Sequence, residues 1–211
     1  MKKASRKDNA SFYHTETPLL IVLSGPSGAG KDAVLSGMRE AGVSLEYIVT
    51  VTTRTKRAKE ISDIDYHFVY EDEFRKMVGN DELLEYAQVY GNWYGTPKQP
   101  VKQALDNGRD VIVKVDTQGA ASIKSLIPQS VLIFLTPASH DELAERLEHR
   151  HTETPFDLAL RIKTAEAEIK QLPLYDYVIL SKQDEFEAAV SDIKAIITAE
   201  KHRVNPRQVA L

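Results

Sequence analysis

Seven consecutive residues, Gly25-Pro26-Ser27-Gly28-Ala29-Gly30-Lys31, combine the features that bind a phosphate chain. Glycines let successive backbone N–H groups converge on phosphate oxygens. A helix that starts there adds partial positive charge at its N-terminus, and the lysine supplies a point charge to the outer phosphates. Such a loop needs a buried strand before it, and the continuously apolar run Leu19-Leu20-Ile21-Val22-Leu23 reads as one. In the strict pattern a Ser or Thr follows the lysine and holds Mg²⁺, whereas here that residue is Asp32. An acid in the first turn of a helix is favoured by the helix dipole whatever the loop does, so Asp32 has a structural reading beside a ligand-site one.

A second cluster follows in Val51-Thr52-Thr53-Arg54-Thr55-Lys56-Arg57, with two arginines and three threonines just beyond a strand. The rigid fork of a guanidinium binds phosphate oxygens in pairs. Two arginines alone would read as a solvated surface pair. The downstream segments Asp65-Tyr66-His67-Phe68, Leu84-Glu85-Tyr86-Ala87 and Gly91-Asn92-Trp93-Tyr94-Gly95-Thr96 add aromatic, carboxylate and hydroxyl groups in quick succession. For His67, His149 and His151 a solvated or satisfied role is preferred, since no carboxylate or second His lies at metal-ligand spacing.

The elements that position these groups follow from the hydrophobic pattern. Val111 to Val115, Val131 to Leu135 and Tyr177 to Leu180 repeat the grammar of the first strand. Helical stretches follow them from Gly119, from Asp141 to Arg150 and from Asp184 to Arg203. Repeated β-then-α units imply an α/β fold with a parallel sheet flanked by helices. Between Tyr47 and Pro100 the pattern changes to shorter strands, Tyr47 to Thr52, Tyr66 to Val69 and Leu84 to Tyr90, around one helix from Glu71 to Val78. This reads as a mixed α/β lobe inserted at about 51–98 into a core formed by 18–50 and 99–211.

At 211 residues, with 42% hydrophobic and 27% charged residues, the chain can bury one good core. A net charge of −4 offers no global attraction to nucleic acid or to anionic membranes, so anionic ligands must be met by local basic clusters. The sequence has no cysteine, which excludes disulfides and thiolate metal sites and fits a reducing compartment, the cytoplasm by default. Residues 1–17 are basic and polar without the apolar core of a signal peptide and read as a disordered tail, and no apolar run approaches bilayer length. Oligomeric state is left open.

Taken together, the phosphate loop and the TTRTKR, DYHF, LEYA and GNWYGT segments resemble the guanylate kinase family, from about Leu19 to Arg203. The resemblance implies the P-loop nucleoside monophosphate kinase fold: a parallel five-stranded core, an inserted GMP-binding lobe and a lid at about 148–158. It implies phosphoryl transfer from ATP to GMP or dGMP, with ATP and Mg²⁺ as cofactors. ATP would bind at Gly25, Pro26, Ser27, Gly28, Ala29, Gly30, Lys31 and Asp32. The acceptor-phosphate clamp would fall on Arg54, Arg57, Tyr66 and Tyr94. The guanine-reading groups would fall on Thr50, where the family usually has Ser, and on Glu85, Thr96 and Asp116. Guanine offers N1–H and an exocyclic amine as adjacent donors, which a carboxylate accepts together, while hydroxyls address O6 and N7. Lys31, Arg146, Arg150 and Arg161 would stabilise the transferring phosphoryl group.

Departures from the family pattern cluster on the donor side. Asp32 replaces Ser or Thr, Lys114 replaces the first acid of an Asp-x-Asp pair, Ser181-Lys182 replaces Asn-Asp, and His149 and His151 flank Arg150 where glycines are usual. Lys114 and Asp116 lie two apart on a strand and so share a face at the crevice end of the sheet. Two arrangements follow for Asp32: an ion pair with Lys114, the metal then being held mainly by ATP and water, or direct ligation of Mg²⁺ with Lys114 offsetting the extra charge. A third reading, from another functional class, is a guanine-nucleotide-binding protein with weak or no kinase activity.

Overall fold

The computed structural model describes residues 17–58, 60–148, 155–182 and 185–211. In chain order the elements are β1 (Leu20–Ser24), α1 (Lys31–Glu40), β2 (Glu46–Tyr47), β3 (Thr50–Thr52), β4 (Tyr66–Phe68), α2 (Glu71–Gly79), β5 (Leu83–Val89), β6 (Asn92–Pro97) and α3 (Lys98–Asp106). There follow β7 (Val111–Lys114), α4 (Thr117–Leu126), β8 (Val131–Thr136), α5 (His140–Glu148), α6 (Pro155–Ile169), a single 3₁₀ turn at Leu172–Leu174, β9 (Tyr177–Leu180) and α7 (Phe186–Lys201).

Five strands form the core sheet in the order β2-β7-β1-β8-β9, every neighbouring pair parallel. The continuous apolar run around β1 is explained by burial on both faces. Leu19, Ile21 and Leu23 pack with Val34 and Met38 of α1 and with Val190 and Ile193 of α7. Leu20 and Val22 point the other way, onto Val101 and Leu105 of α3 and Ala120 and Ile123 of α4. Each such side chain contributes about 1.5–3 kcal/mol by leaving water.

A second sheet, in the order β4-β3-β6-β5, is built between Thr50 and Pro97. Its β3–β4 pair is parallel and the β3–β6 and β5–β6 pairs are antiparallel. Phe74 of α2 packs on one face with Val51 and Leu83, and its ring stacks on Trp93 at 5.9 Å between centroids. The other face carries Thr50, Tyr66, Glu85, Tyr94 and Thr96. Thr50 pairs with Tyr66, Thr52 with Tyr94 and Glu85 with Thr96, and strand residues two apart share a face.

The structure corrects two expectations about this region. The strand expected over Tyr47 to Thr52 is two strands in different sheets: Glu46–Tyr47 pairs with β7 in the core, and Thr50–Thr52 opens the second sheet. A continuous β-branched stretch hides the break because each half is satisfied by its own neighbours. The strand Asn92–Pro97 was not foreseen, since Gly95 and Pro97 lower its strand propensity. Gly95 is required there, because a Cβ would lie 2.7 Å from Leu83 Cδ1.

Candidate active site

The loop between β1 and α1 is shaped by close approach. Gly25 has φ of 138°, and a Cβ there would lie 2.0 Å from the Leu135 carbonyl oxygen. Gly30 caps α1 in the left-handed region with φ of 88° and no side-chain cap, so the first N–H groups of the helix are presented to a ligand. Lys31 turns its ammonium back onto the loop, donating to the Gly25 carbonyl at 2.5 Å and the Pro26 carbonyl at 3.1 Å. Burial holds its pKa below the ordinary lysine range, against the opposing pull of Glu168 and Asp32.

This loop opens into a cavity of about 360 Å³. Gly25, Ser27, Gly28, Ala29, Gly30, Lys31 and Asp32 line it, as do Thr50, Arg54, Arg57, Tyr66, Glu85 and Tyr94, and Lys114 and Asp116, later in the chain, are also in the wall. The core register accounts for the last two: Leu23 pairs with Lys114, so the end of β7 lies beside the start of the loop. Pro26 and Thr96 are not in the wall. Thr96 is fully buried and acts behind Glu85, donating to its Oε1 at 2.6 Å.

Glu85 is 6% exposed and its carboxyl is pushed up to about 7, chiefly by burial and further by Asp116, while the Thr96 hydrogen bond works the other way. Gly119 leaves it room, since a Cβ there would lie 2.6 Å from Glu85 Oε2. Asp116 caps α4 by accepting from Gly119 N at 2.9 Å and also accepts from Gln118 Nε2 at 3.1 Å. Thr50 Oγ1 donates to the Lys114 carbonyl at 3.2 Å, tying the second sheet to the core strand.

Arg54 and Arg57 converge on Glu60, a residue the sequence reading passed over. Arg54 Nη2 donates to Glu60 Oε1 at 2.6 Å and the Arg57 backbone N–H to Oε2 at 2.7 Å, while Arg57 Nη1 lies 3.9 Å from Oε1. Burial works against the Glu60 charge, but the two arginines outweigh it and hold its carboxyl below the usual range. Both arginines line the cavity and Glu60 does not, so the carboxylate holds them from behind. The Arg54 guanidinium is 5.5 Å from the Tyr66 ring centroid, and Tyr66 meets Tyr94 edge-on at 6.0 Å.

On the donor side Lys114 donates to Asp32, and its Nζ sits 3.9 Å from the Tyr66 ring centroid. Burial opposes the Lys114 charge, but Tyr66 and Asp32 more than offset this and hold the ammonium above the ordinary lysine range. Arg146 reaches from α5 to donate to Ser181 Oγ at 3.3 Å and the Ala29 carbonyl at 3.4 Å, with further bonds to Glu142 and the Ser181 carbonyl. Ser181 therefore anchors an arginine beside the loop. Arg150 lies outside the described residues, as do His149, His151 and the Arg161 side chain, so the expected lid at 148–158 falls largely outside them.

Among the described residues no three His, Cys, Asp or Glu side chains converge as a metal cage. A Mg²⁺ ion bound mainly through phosphate oxygens needs only one or two protein carboxylates, and Asp32 in the cavity wall suits that demand. Glu168 of α6 also lines the cavity and was missed in the sequence. It lies about one turn beyond buried Ala165, which packs with Ile162 on Leu143.

A family model described as guanylate kinase matches residues 17–200. A guanylate kinase of Carboxydothermus hydrogenoformans is 44% identical over 191 residues, covering 90% of this chain and 92% of that protein. A guanylate kinase of Bacillus subtilis is 43% identical over 196 residues, covering 91% and 95%. Among solved structures, a guanylate kinase from Anaplasma phagocytophilum superposes with a TM-score of 0.72 at 30% identity, covering 90% of each chain. A glycine loop with its lysine, set between a parallel strand and a helix above a shared cavity, defines a P-loop kinase of the nucleoside monophosphate kinase fold. The chain belongs to the guanylate kinase family.

Proposed function

We propose that this protein transfers the terminal phosphoryl group of ATP to GMP or dGMP, giving ADP and GDP or dGDP. The observation that carries this reading is that one cavity is walled both by the phosphate loop and by Thr50, Tyr66, Glu85 and Tyr94 of the second sheet with Arg54 and Arg57 beside it. Segment 51–98 is the GMP-binding lobe in this reading. Glu85 accepts N1–H and the amine of guanine with Thr50, Thr96 and Asp116 around it, and Arg54, Arg57, Tyr66 and Tyr94 clamp the acceptor phosphate. An acceptor phosphate oxygen is already anionic and needs no general base. The bond to the leaving ADP oxygen breaks as the bond to the GMP oxygen forms, and charge neutralisation carries the barrier. Lys31 and Arg146, with Arg150 and Arg161, supply that neutralisation.

Mg²⁺ arriving with ATP would neutralise the outer phosphates, held by them, by water and by Asp32. The Asp32–Lys114 ion pair supports the arrangement in which ATP and water carry most of the coordination. The absence of cysteine supports a reducing compartment, the cytoplasm, for the reaction. No helix among the described residues is long and apolar enough to cross a membrane. A reading as a nucleotide-binding protein without transfer is not favoured, because Lys31 and Arg146 both sit at the loop.

The test is ADP formation from ATP with each of the four common nucleoside monophosphates, under Mg²⁺ titration. Turnover with GMP alone is the expected result, since adenine would leave the Glu85 carboxylate without its two donors. No turnover with GMP at any metal concentration would overturn the proposal.

A further inference from the structure

The cavity holds one carboxylate that the proposed transfer does not use. Glu168 lies in the last turn of α6, and its Oε2 is shielded from solvent with no hydrogen-bond partner among the described residues. A buried acceptor without a donor is unfavourable and calls for an explanation. The compensating charge is Lys31: it is the group that most favours the ionised form of Glu168, and Glu168 is in turn the strongest charge acting on Lys31.

Lys31 is at present spent on its own loop, at 2.5 Å from the Gly25 oxygen and 3.1 Å from the Pro26 oxygen. A triphosphate in the loop requires the ammonium to leave those carbonyls, and an ammonium on a flexible four-carbon stem does not choose its new place unaided. A carboxylate in the wall of the same cavity limits that choice. We propose that Glu168 is a positioning residue for phosphoryl transfer, acting through Lys31: it holds the ammonium in the cavity when the donor phosphates draw it off the loop carbonyls. α6 thereby becomes sensitive to whether the loop is occupied. This inference rests on the transfer reading above.

The groups around Glu168 fix its pH behaviour. Lys31 at the start of α1 and Asp116 at the start of α4 share the cavity wall with it and act on its charge, and Tyr175, in the segment before β9, feels that charge in turn. Burial, helped by Asp116, pushes the Glu168 carboxyl up to about 7, with Lys31 opposing. Tyr175 is pushed up to about 12, again chiefly by burial, and stays neutral while donating to Ser24 Oγ at 3.0 Å. Only the ionised carboxylate pairs with Lys31, so turnover should rise with pH through about 7 and the acid limb should belong to Glu168.

The experiment is steady-state kinetics with ATP and GMP for the wild type and for Glu168→Gln, Glu168→Asp and Glu168→Ala, with melting temperatures and the pH profile of kcat at saturating GMP. Glu168→Gln is expected to lower kcat about tenfold, raise KM for ATP, leave KM for GMP within about twofold and flatten the acid limb, without a lower Tm. Glu168→Asp should recover part of the loss. The inference is overturned if Glu168→Gln keeps kcat and KM for ATP within about twofold of wild type. It is equally overturned if all three variants lose ATP and GMP use together with Tm, since that marks a packing role. Should the wild type show no turnover, the transfer reading is what fails. ATP affinity by calorimetry then decides for Glu168: weaker binding in Glu168→Gln upholds its action on Lys31, and equal binding refutes it.

Discussion

Lys114 donates a hydrogen bond to Asp32 across 82 residues of sequence, joining the end of β7 to the first turn of α1. The Lys114 side chain is 9% exposed and the Asp32 side chain 60%, so the pair is lopsided: the lysine is the group that cannot do without its partner. Tyr66 shares the load, with the ammonium 3.9 Å from its ring centroid. A hydroxyl and an acid in the family pattern have become an acid and a base here, which makes the local total charge one unit more positive.

The two positions should therefore be coupled. Asp32→Ser alone leaves a buried ammonium with one partner fewer and should cost about 1 kcal/mol of stability, the exposure of Asp32 limiting the loss. Lys114→Asp alone places two acids together beside the loop and should reduce ATP use most at low Mg²⁺. The double change Asp32→Ser with Lys114→Asp should outperform both single changes in kcat/KM for ATP, with a coupling of about 1 kcal/mol or more. Mg²⁺ titrations of the four proteins measure this, and additive effects would show that the residues act apart.

Guanine recognition should depend on pH through Glu85. Its carboxyl is protonated below about 7 and ionised above it, because burial raises it. Guanine donors need the ionised form, so affinity for GMP should rise with pH through about 7, and binding should release a proton on the acid side of that point. Calorimetry in buffers of different ionisation enthalpy reads the proton directly. Glu85→Gln, which presents an amide to two donors, should bind GMP at least about tenfold more weakly and with no released proton from this site. A wild-type affinity that falls from pH 6 to 8 would contradict the assignment.

Glu60 should set the acceptor clamp from behind. One carboxylate accepts from the Arg54 guanidinium and from the Arg57 backbone N–H, with the Arg57 guanidinium 3.9 Å away, and without its charge both arginines lose a common anchor. Glu60→Gln should raise KM for GMP about fivefold and change kcat less, since the loss is of ground-state binding. A lower KM in the variant would mean instead that Glu60 competes with the acceptor phosphate. Steady-state kinetics at saturating ATP separates the two.

Local pattern made most of the core legible. The apolar run at β1, the glycines after it and the later strand-helix units each carry their signal within a few residues, because burial on both faces of a parallel sheet demands unbroken hydrophobicity. The second sheet was less legible. Its strands are short and half-polar, since one face must carry Thr50, Tyr66 and Glu85 instead of a core, and the break between Tyr47 and Thr50 depends on which sheet each half joins.

By itself, then, the sequence determined the phosphate loop, the family pattern and the chemical types of the groups in the cavity, because those are properties of adjacent residues. Only the tertiary structure decided how those groups are paired. Asp32 meets Lys114, Arg54 and Arg57 share Glu60, Arg146 is held by Ser181, and Glu168 lines the same cavity as Lys31. The physical reason is that the strength of a charge depends on burial and on opposite charges nearby. Both are set by contacts between residues far apart in the chain, which no local spacing records.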